Sequence, residues 1–240
     1  MGPRQGRQGG CSLSAAEPST GLASARAKQQ ARRQFEEWAG TYDRSLLNRF
    51  LFHPCHLALL EEIVRWYDHR RREFSVLDIG CGTGTLASML ARSPWPMHVV
   101  GLDYAPSMST EAASKAAANA ASVRARFLAG DSEHLPFPDA SFDLLTCSNS
   151  FHHYPHQQAV VREMRRLLRP GGRLIIVDGF RDNVIGWFVF DVVITAVERE
   201  VYHVPWSVMH EYFVRAGMID IRRRKFNFWF PALATIGDAP

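Results

Sequence analysis

The sequence predicts an α/β fold: a doubly wound, mostly parallel seven-stranded sheet with a C-terminal antiparallel hairpin and a helical N-terminal cap. Short apolar runs alternate with helical stretches through the middle of the chain, which is typical of a parallel sheet covered on both faces. The first run passes directly into a glycine-rich turn, as strands do where such sheets bind ligands. A length of 240 residues and a hydrophobic content of 46% suffice for one such domain.

The net charge of +4 is concentrated near the start of the chain. Residues 1–34 contain six Lys or Arg against one Glu, so the remaining residues together carry a charge of −1. A nucleic-acid-binding domain usually carries its basic excess on the folded body. The charge distribution therefore argues against a nucleic-acid partner.

Residues 1–28 are rich in Gly, Ser, Ala, Gln and Arg and predict a disordered basic tail. Such a start also resembles a mitochondrial transit peptide, although its amphipathic pattern is poor. The four cysteines form no CxxC pair, which favours a reducing compartment. The sequence thus predicts a cytoplasmic protein, with the mitochondrial matrix as the alternative. No apolar run reaches the roughly 18–20 residues of a membrane span.

Residues 29–72 predict the helical N-terminal cap, and residues 73–240 predict the core domain. Phe35, Trp38 and Ala39 recur at helical spacing, and a second helical stretch runs from about His53 to Arg70.

Within the core, five apolar runs predict parallel strands, and helical stretches lie between most of them. The strands are predicted at Ser75–Ile79, Met97–Leu102, Arg124–Leu128, Phe142–Cys147 and Arg173–Val177. The helices are predicted at Thr85–Arg92, Pro106–Ala118 and Pro155–Leu168. An apolar helix over 184–200, a helix from near Ser207 and a hairpin of Ile219–Arg224 with Phe226–Ala232 complete the chain.

The turn after the first predicted strand contains three glycines. Gly80, Gly82 and Gly84 permit a sharp turn and a close approach of a ligand to the backbone. The third small residue of a dinucleotide-binding GxGxxG pattern would fall at position 85, which is Thr85. No GK[ST] follows, which excludes a phosphate-binding P-loop.

Carboxylates follow the next two predicted strands. Asp103 ends the second strand, where a carboxylate can accept hydrogen bonds from both ribose hydroxyls. Asp131 follows the third, where a carboxylate can accept from an adenine amino group. The carboxyl ends of parallel strands meet at one edge, so these groups predict one crevice. The alternative for each Asp is a helix cap or a turn former.

Four motifs in this order resemble the class I S-adenosylmethionine-dependent methyltransferases. Within that family, they are similar to the branch of ubiquinone/menaquinone-biosynthesis and small-molecule O-methyltransferases. The motifs are VLDIGCGTG at 76–84, VVGLDYAPSM at 99–108, GDSEHLPFPDASFDLL at 130–145 and HHYPHQQAVVREMRRLLRPGGRLIIVD at 152–178. FEEWAGTYD at 35–43 resembles the cap of the family. The resemblance implies the Rossmann-like methyltransferase fold and S-adenosyl-L-methionine as the cofactor.

The resemblance also implies roles for individual residues around that cofactor. The residues implied at its methionine and ribose portions are Tyr42, Asp78, Gly80, Gly82, Thr83, Gly84, Asp103 and Ser148. The residues implied around its adenine are Tyr104, Met108, Asp131 and Ser132. Ser109 departs from the family, which usually has Leu after the Met.

His152 and His153 follow the fourth predicted strand at the rim of the crevice. An imidazole has a reference pKa of about 6.5 and can remove a proton near neutral pH. In related O-methyltransferases, histidines at this place are proposed as the base together with an Asp ending strand five, which here is Asp178. The alternative is that the histidines cap the next helix or line the pocket. The histidine clusters lack further ligands at metal spacing, so no metal site is predicted.

The apolar stretch 184–197 has one charge, Asp191, and predicts a buried or interfacial helix. Together with six aromatic residues it predicts a pocket for a small apolar or ring-containing acceptor, methylated on oxygen or carbon; ordinary core is the alternative. These residues are Phe35, Trp38, Tyr42, Phe151, Tyr202 and Trp206. The sequence is compatible with peripheral contact with a membrane surface, and with either a monomer or a homodimer. The rival functions are a non-catalytic cofactor-binding protein and a nicotinamide-dependent oxidoreductase.

Overall fold

A computed structural model describes residues 21–39, 46–119, 121–179, 201–226 and 232–240. Within these ranges, two N-terminal helices precede a core in which strands and helices alternate. The strands are β1 (Phe74–Ile79), β2 (Met97–Asp103), β3 (Ala125–Ala129), β4 (Phe142–Ser148), β5 (Leu168–Gly179), β6 (Ile219–Phe226) and β7 (Ala232–Asp238). The helices are α1 (Gly21–Trp38), α2 (Leu46–Asp68), α3 (Thr85–Ala91), α4 (Pro106–Ala118), α5 (Gln157–Leu167) and α6 (Trp206–Arg215).

The strands form one seven-stranded sheet in the order β3-β2-β1-β4-β5-β7-β6. The first five are parallel, and β7 lies antiparallel between β5 and β6. The strand order reverses between β1 and β4, which is where open α/β sheets leave a crevice outside their carboxyl ends. The predicted fold class is confirmed, and the crevice is expected next to Asp78 and Thr146, which are paired across this point.

Both faces of the sheet are covered. Val76 and Leu77 are adjacent in β1 and, like all neighbours in a strand, point to opposite faces; both are fully buried. Val76 packs in a cluster with residues of α2 and α3, and Leu77 packs in another with residues of α5 and α6. Among the residues that the structure describes, no helix is both long and apolar enough to cross a membrane.

Several predicted boundaries were wrong; α2 begins at Leu46 and not near His53, and β5 begins at Leu168 and not at Arg173. Helix α1 begins at Gly21, so residues 21–28 are helical although the sequence predicted them as tail. Contacts with the body explain the difference, because Ser24 and Ala27 are buried. The last strand is Ala232–Asp238 and not Phe226–Ala232, since its small Ala, Thr and Gly residues give little strand signal. Residues 1–20, Tyr42 and the predicted helix at 184–200 lie outside the described ranges.

Asp143 on β4 accepts several hydrogen bonds at the amino-terminal edge of the sheet. Its side chain is buried, with 1% exposed. Its carboxylate accepts hydrogen bonds from Arg72 at 2.7 Å, from Arg169 at 2.6 Å and from the Ser75 backbone N–H at 3.0 Å. The two arginine side chains are 54% and 41% exposed, so water can hydrate them if the carboxylate is removed.

We expect Asp143→Ala to lower the free energy of unfolding by about 2 kcal/mol, less than the ~3–5 kcal/mol of breaking a fully buried pair. Urea unfolding measures this loss. The matched control is Asp139→Ala, whose side chain is 78% exposed and pairs with Arg166. Exposed pairs contribute roughly 0–1 kcal/mol, so equal losses in the two variants would contradict the assignment.

Candidate functional site

A cavity of about 870 Å³ lies outside the carboxyl ends of β1, β2, β3 and β4, at the predicted crevice. Its floor consists of the residues that follow these strands, and its roof consists of α1 and the first half of α2. The roof residues that line it include Lys28, Phe35, Phe52, His53 and His56. Its volume lies in the ~300–1,000 Å³ range of small-molecule sites.

The glycine turn forms one wall of this cavity. Gly80 has a φ of +69° and Gly82 a φ of +53°, in the left-handed region that glycine adopts without strain. A Cβ at Gly80 would lie 2.1 Å from the hydroxyl oxygen of Ser150, so the turn also requires glycine for space. A Cβ at Gly82 would meet nothing within 4 Å, which leaves this side of the backbone open to a ligand.

Gly84 is placed differently from its implied role. It is the N-cap residue of α3, and a Cβ there would lie 2.8 Å from both Ala112 and Phe127. It does not belong to the cavity lining. Close packing of α3 against α4 and the sheet therefore accounts for this glycine without a ligand contact.

Asp103 holds the glycine turn in place while facing the cavity. Its Oδ2 accepts a hydrogen bond from the Gly82 N–H at 2.8 Å, and its Oδ1 accepts one from the Ala105 N–H at 2.9 Å. Burial raises the pKa of this carboxyl, while the backbone donors oppose that effect. Each carboxylate oxygen can accept a second hydrogen bond.

Asp78 lies at the end of β1 and also lines the cavity. It accepts a hydrogen bond from the Thr146 hydroxyl at 2.8 Å, across the β1–β4 pair. Burial raises its pKa to about 7, against the lowering effect of Thr146, and the negative charge of Asp103 adds to the rise. A cation bound beside Asp78 would favour the ionised carboxylate.

Asp131 is paired with Lys28, a residue that the sequence assigned to the tail. The Lys28 ammonium lies 2.8 Å from Asp131 Oδ2 and 2.9 Å from Glu133 Oε1. The pairs attach α1 to the loop after β3 and place α1 over the cavity. Sequence reasoning missed Lys28, and its spacing from Phe35 on one helical face was the available signal.

His53 and His56 on α2 line the cavity, and Lys115 lies behind the lining next to the glycine turn. Lys115 on α4 donates hydrogen bonds to the hydroxyls of Thr83 at 3.0 Å and Thr85 at 3.2 Å. Burial lowers the pKa of His56 to about 4, and the positive charges of His53 and Lys115 contribute. His56 is therefore neutral at pH 7 and can accept or donate a hydrogen bond.

The three predicted base residues are not all at the cavity. His153 lines it, with its ring edge-on to Phe35 at a centroid distance of 5.0 Å. His152 is buried, and its Nδ1 lies 2.6 Å from Oδ1 of Asp178. Burial alone would raise the pKa of Asp178, but the adjacent His152 holds it well below its usual range. His152 and Asp178 line a separate small cavity that also includes His203, which the sequence analysis did not single out.

Most of the implied cofactor residues converge on the large cavity. Those that line it are Asp78, Gly80, Gly82, Thr83, Asp103, Tyr104, Met108, Asp131, Ser132 and Ser148. The cavity thus brings carboxylates at the ends of three strands and the imidazoles of His53 and His56 on α2 to one shared space. An arrangement of this kind can hold a zwitterionic nucleoside.

Comparison with known proteins gives the family. The family described as "Methyltransferase domain" matches residues 76–172. The chain is 41% identical over 121 residues to the uncharacterized methyltransferase YcgJ of Bacillus subtilis, covering 50% of this chain and 47% of that protein. It is 31% identical over 161 residues to a demethylmenaquinone methyltransferase of Listeria monocytogenes, covering 67% of this chain and 66% of that protein. The chain therefore spans about half to two thirds of these relatives.

A solved structure agrees with the fold. A SAM-dependent methyltransferase from Thermotoga maritima aligns with a TM-score of 0.66 at 17% identity, covering 88% of this chain and 100% of that one. This likeness concerns the fold alone, whereas the sequence matches cover the glycine turn and the strand-end carboxylates. The chain belongs to the class I S-adenosylmethionine-dependent methyltransferases, and within that family it resembles the demethylmenaquinone methyltransferases.

Proposed function

We propose that this protein transfers a methyl group from S-adenosylmethionine to a small, apolar or ring-containing acceptor. The observation that carries the proposal is the order of charged groups along the large cavity. Carboxylates at three strand ends would bind a nucleoside and an ammonium group, and the donors of Thr83 and His56 would bind a carboxylate. S-adenosylmethionine presents these groups in one molecule.

The nucleoside end fits the strand-end carboxylates. Asp103 keeps lone pairs for two ribose hydroxyls while it holds Gly82 and Ala105. Tyr104 and Met108 border the same part of the cavity and would contact the adenine. Asp131 and Ser132 would accept from or donate to its edge. This set fits an adenosine group without a phosphate-binding turn.

The amino-acid end fits the remaining polar groups. Asp78 would hold the ammonium group, since a buried carboxylate gains most from a cation at short range. Thr83 and His56 would hold the carboxylate, because both line the cavity. Lys115 would orient the Thr83 hydroxyl through its 3.0 Å hydrogen bond from outside the lining. A nicotinamide dinucleotide has no amino-acid group with an ammonium and a carboxylate. This difference disfavours an oxidoreductase.

The protein contributes positioning and exclusion of water to the reaction. When bound, S-adenosylmethionine supplies a methyl group already activated on a sulfonium. The roof formed by α1 and α2 shields the space between Phe35, Phe52 and His153, where an acceptor can lie in line with that methyl group. His153 would accept the proton of an acceptor hydroxyl or acidic carbon. His152 and Asp178 would position the turn that carries His153.

The same space supports the choice of acceptor. Phe35, Phe52, Pro54 and Met89 give the cavity an apolar wall. A ring-containing acceptor would stack or pack there. The name of the Listeria relative points in the same direction.

Transfer of labelled methyl groups across a metabolite extract tests the proposal. We expect label in a small apolar product, and at least about a hundredfold slower transfer by His153→Ala, because His153 is the proposed base. His98→Ala is the matched control, because His98 is exposed on β2 and pairs with Glu73. Label in peptide or nucleic acid would contradict the acceptor class, and no transfer from any extract would favour a non-catalytic cofactor-binding protein.

Cofactor binding should depend on pH through Asp78. Because its pKa in the free protein is about 7, protonation competes with a bound ammonium group as the pH falls. We expect the affinity for S-adenosylhomocysteine to fall about tenfold from pH 8 to pH 6. In Asp78→Asn the affinity should be low at both pH values and nearly constant. Calorimetric titration measures both, and an equal slope in the two proteins would exclude Asp78 as the group responsible.

A further inference from the structure

We propose that His152, Asp178 and His203 form a binding site for one divalent transition-metal ion of the zinc type. This site lies in the small cavity beside the large one and does not rest on the proposed function. The sequence predicted no metal site because His203 is far from the other two along the chain.

The three residues come from three segments that the fold brings together. His152 lies in the turn after β4, Asp178 lies near the end of β5, and His203 lies just before α6. Each offers one donor atom, and these atoms all lie within 4.8 Å of one another. The two imidazole rings stack at a centroid distance of 4.6 Å. Side chains that converge in this way need only small shifts to share one ion.

The donor set selects the class of ion. Two imidazoles and one carboxylate suit Zn²⁺ and its neighbours in the transition series, and three protein ligands with an open position are common in zinc sites. Ca²⁺ requires six to eight oxygen ligands and Mg²⁺ prefers water and carboxylates, so neither matches this set.

The surroundings provide space and support. A cavity of about 20 Å³ is lined by all three residues, and roughly 10–15 Å³ of such volume holds one water-sized sphere. Gln157 donates hydrogen bonds to the carbonyls of Tyr202 at 2.7 Å and Phe151 at 3.2 Å, the residues next to His203 and His152. The segments that carry both histidines are therefore fixed to each other before an ion binds.

Binding requires a proton to move and no oxidation. The ion would replace the proton between Nδ1 of His152 and Oδ1 of Asp178, which are 2.6 Å apart. The displaced proton would move to Nε2 and leave the imidazole neutral. The distance between Nδ1 and Oδ1 would widen to about 3.3 Å, as two tetrahedral ligand bonds of roughly 2.0–2.1 Å require. The ion would fasten the turn that bears His153 to β5 and to the segment before α6.

The test uses the untagged full chain, stripped with a chelator and dialysed. Co²⁺ is titrated with absorption spectroscopy, and Zn²⁺ is titrated by calorimetry and used to displace Co²⁺. We expect one ion per chain with the visible bands of Co²⁺ bound to nitrogen and oxygen. His203→Ala and Asp178→Asn should each weaken binding at least about tenfold.

The matched control is His210→Ala, because His210 lies on α6 with its ring 4.8 Å from that of Trp206 and outside the cluster. It should bind the ion as the unchanged chain does. If Asp178→Asn fails to fold, the partly exposed His203 still decides the question through His203→Ala. The proposal is overturned if no stoichiometric ion binds, if His203→Ala binds unchanged, or if His210→Ala loses binding equally.

Discussion

Asp103→Asn is expected to weaken the binding of S-adenosylhomocysteine by about a hundredfold, or roughly 2.7 kcal/mol. The carboxylate accepts from the Gly82 and Ala105 N–H groups on its two oxygens, and it would accept two ribose hydroxyls as well. An amide replaces one acceptor oxygen with an NH₂ group, which then faces a backbone N–H. The variant therefore loses a charge-assisted hydrogen bond and misplaces the glycine turn.

Calorimetric titration of the two proteins measures this difference. Asp139→Asn is the matched control, because it makes the same substitution at an exposed Asp that does not line the cavity. A loss smaller than about threefold in Asp103→Asn would show that the ligand does not use this carboxylate.

Gly80→Ala should lower the free energy of unfolding by about 3 kcal/mol, from ~1–2 kcal/mol of left-handed strain and ~1–3 kcal/mol of overpacking. The new Cβ would lie 2.1 Å from the Ser150 hydroxyl oxygen and 2.6 Å from its Cβ. The Tyr154 hydroxyl oxygen, which is hydrogen-bonded to that of Ser150, would lie 2.8 Å from the new Cβ. Relief would require the turn after β4 to move away from Gly80, and since both line the cavity, cofactor affinity should fall too.

Gly217→Ala separates strain from crowding. Gly217 has a φ of +75°, and a Cβ there would meet nothing within 4 Å. We expect it to lose only the strain, about 1–2 kcal/mol, in the same urea titration. Equal losses of unfolding free energy in Gly80→Ala and Gly217→Ala would mean that Ser150 moves aside at no energetic cost. Steric crowding would then not explain the glycine at position 80.

The sequence predicted the floor of the site well because strand ends are local features. Gly80, Asp103 and Asp131 each follow a short apolar run, and parallel strands bring such positions to one edge whatever the loops do. The parallel arrangement of β1 to β5 follows from the same alternation of strands and helices.

The roof and the small cavity depend on contacts between distant segments, which composition does not reveal. Lys28 was assigned to a tail because of the composition of residues 1–28, and its partners Asp131 and Glu133 are about a hundred residues away along the chain. His152 and His153 are adjacent in sequence, but the turn after β4 points one at Asp178 and the other at the cavity. Local patterns cannot distinguish such neighbours.

The most direct test of the central claim is a calorimetric titration of the protein with S-adenosylhomocysteine and, separately, with NAD⁺. The charges along the cavity predict that S-adenosylhomocysteine binds with one molecule per chain, that Asp103→Asn weakens this binding, and that NAD⁺ produces no heat of binding. Binding of NAD⁺ without binding of S-adenosylhomocysteine would contradict the assignment of the cavity.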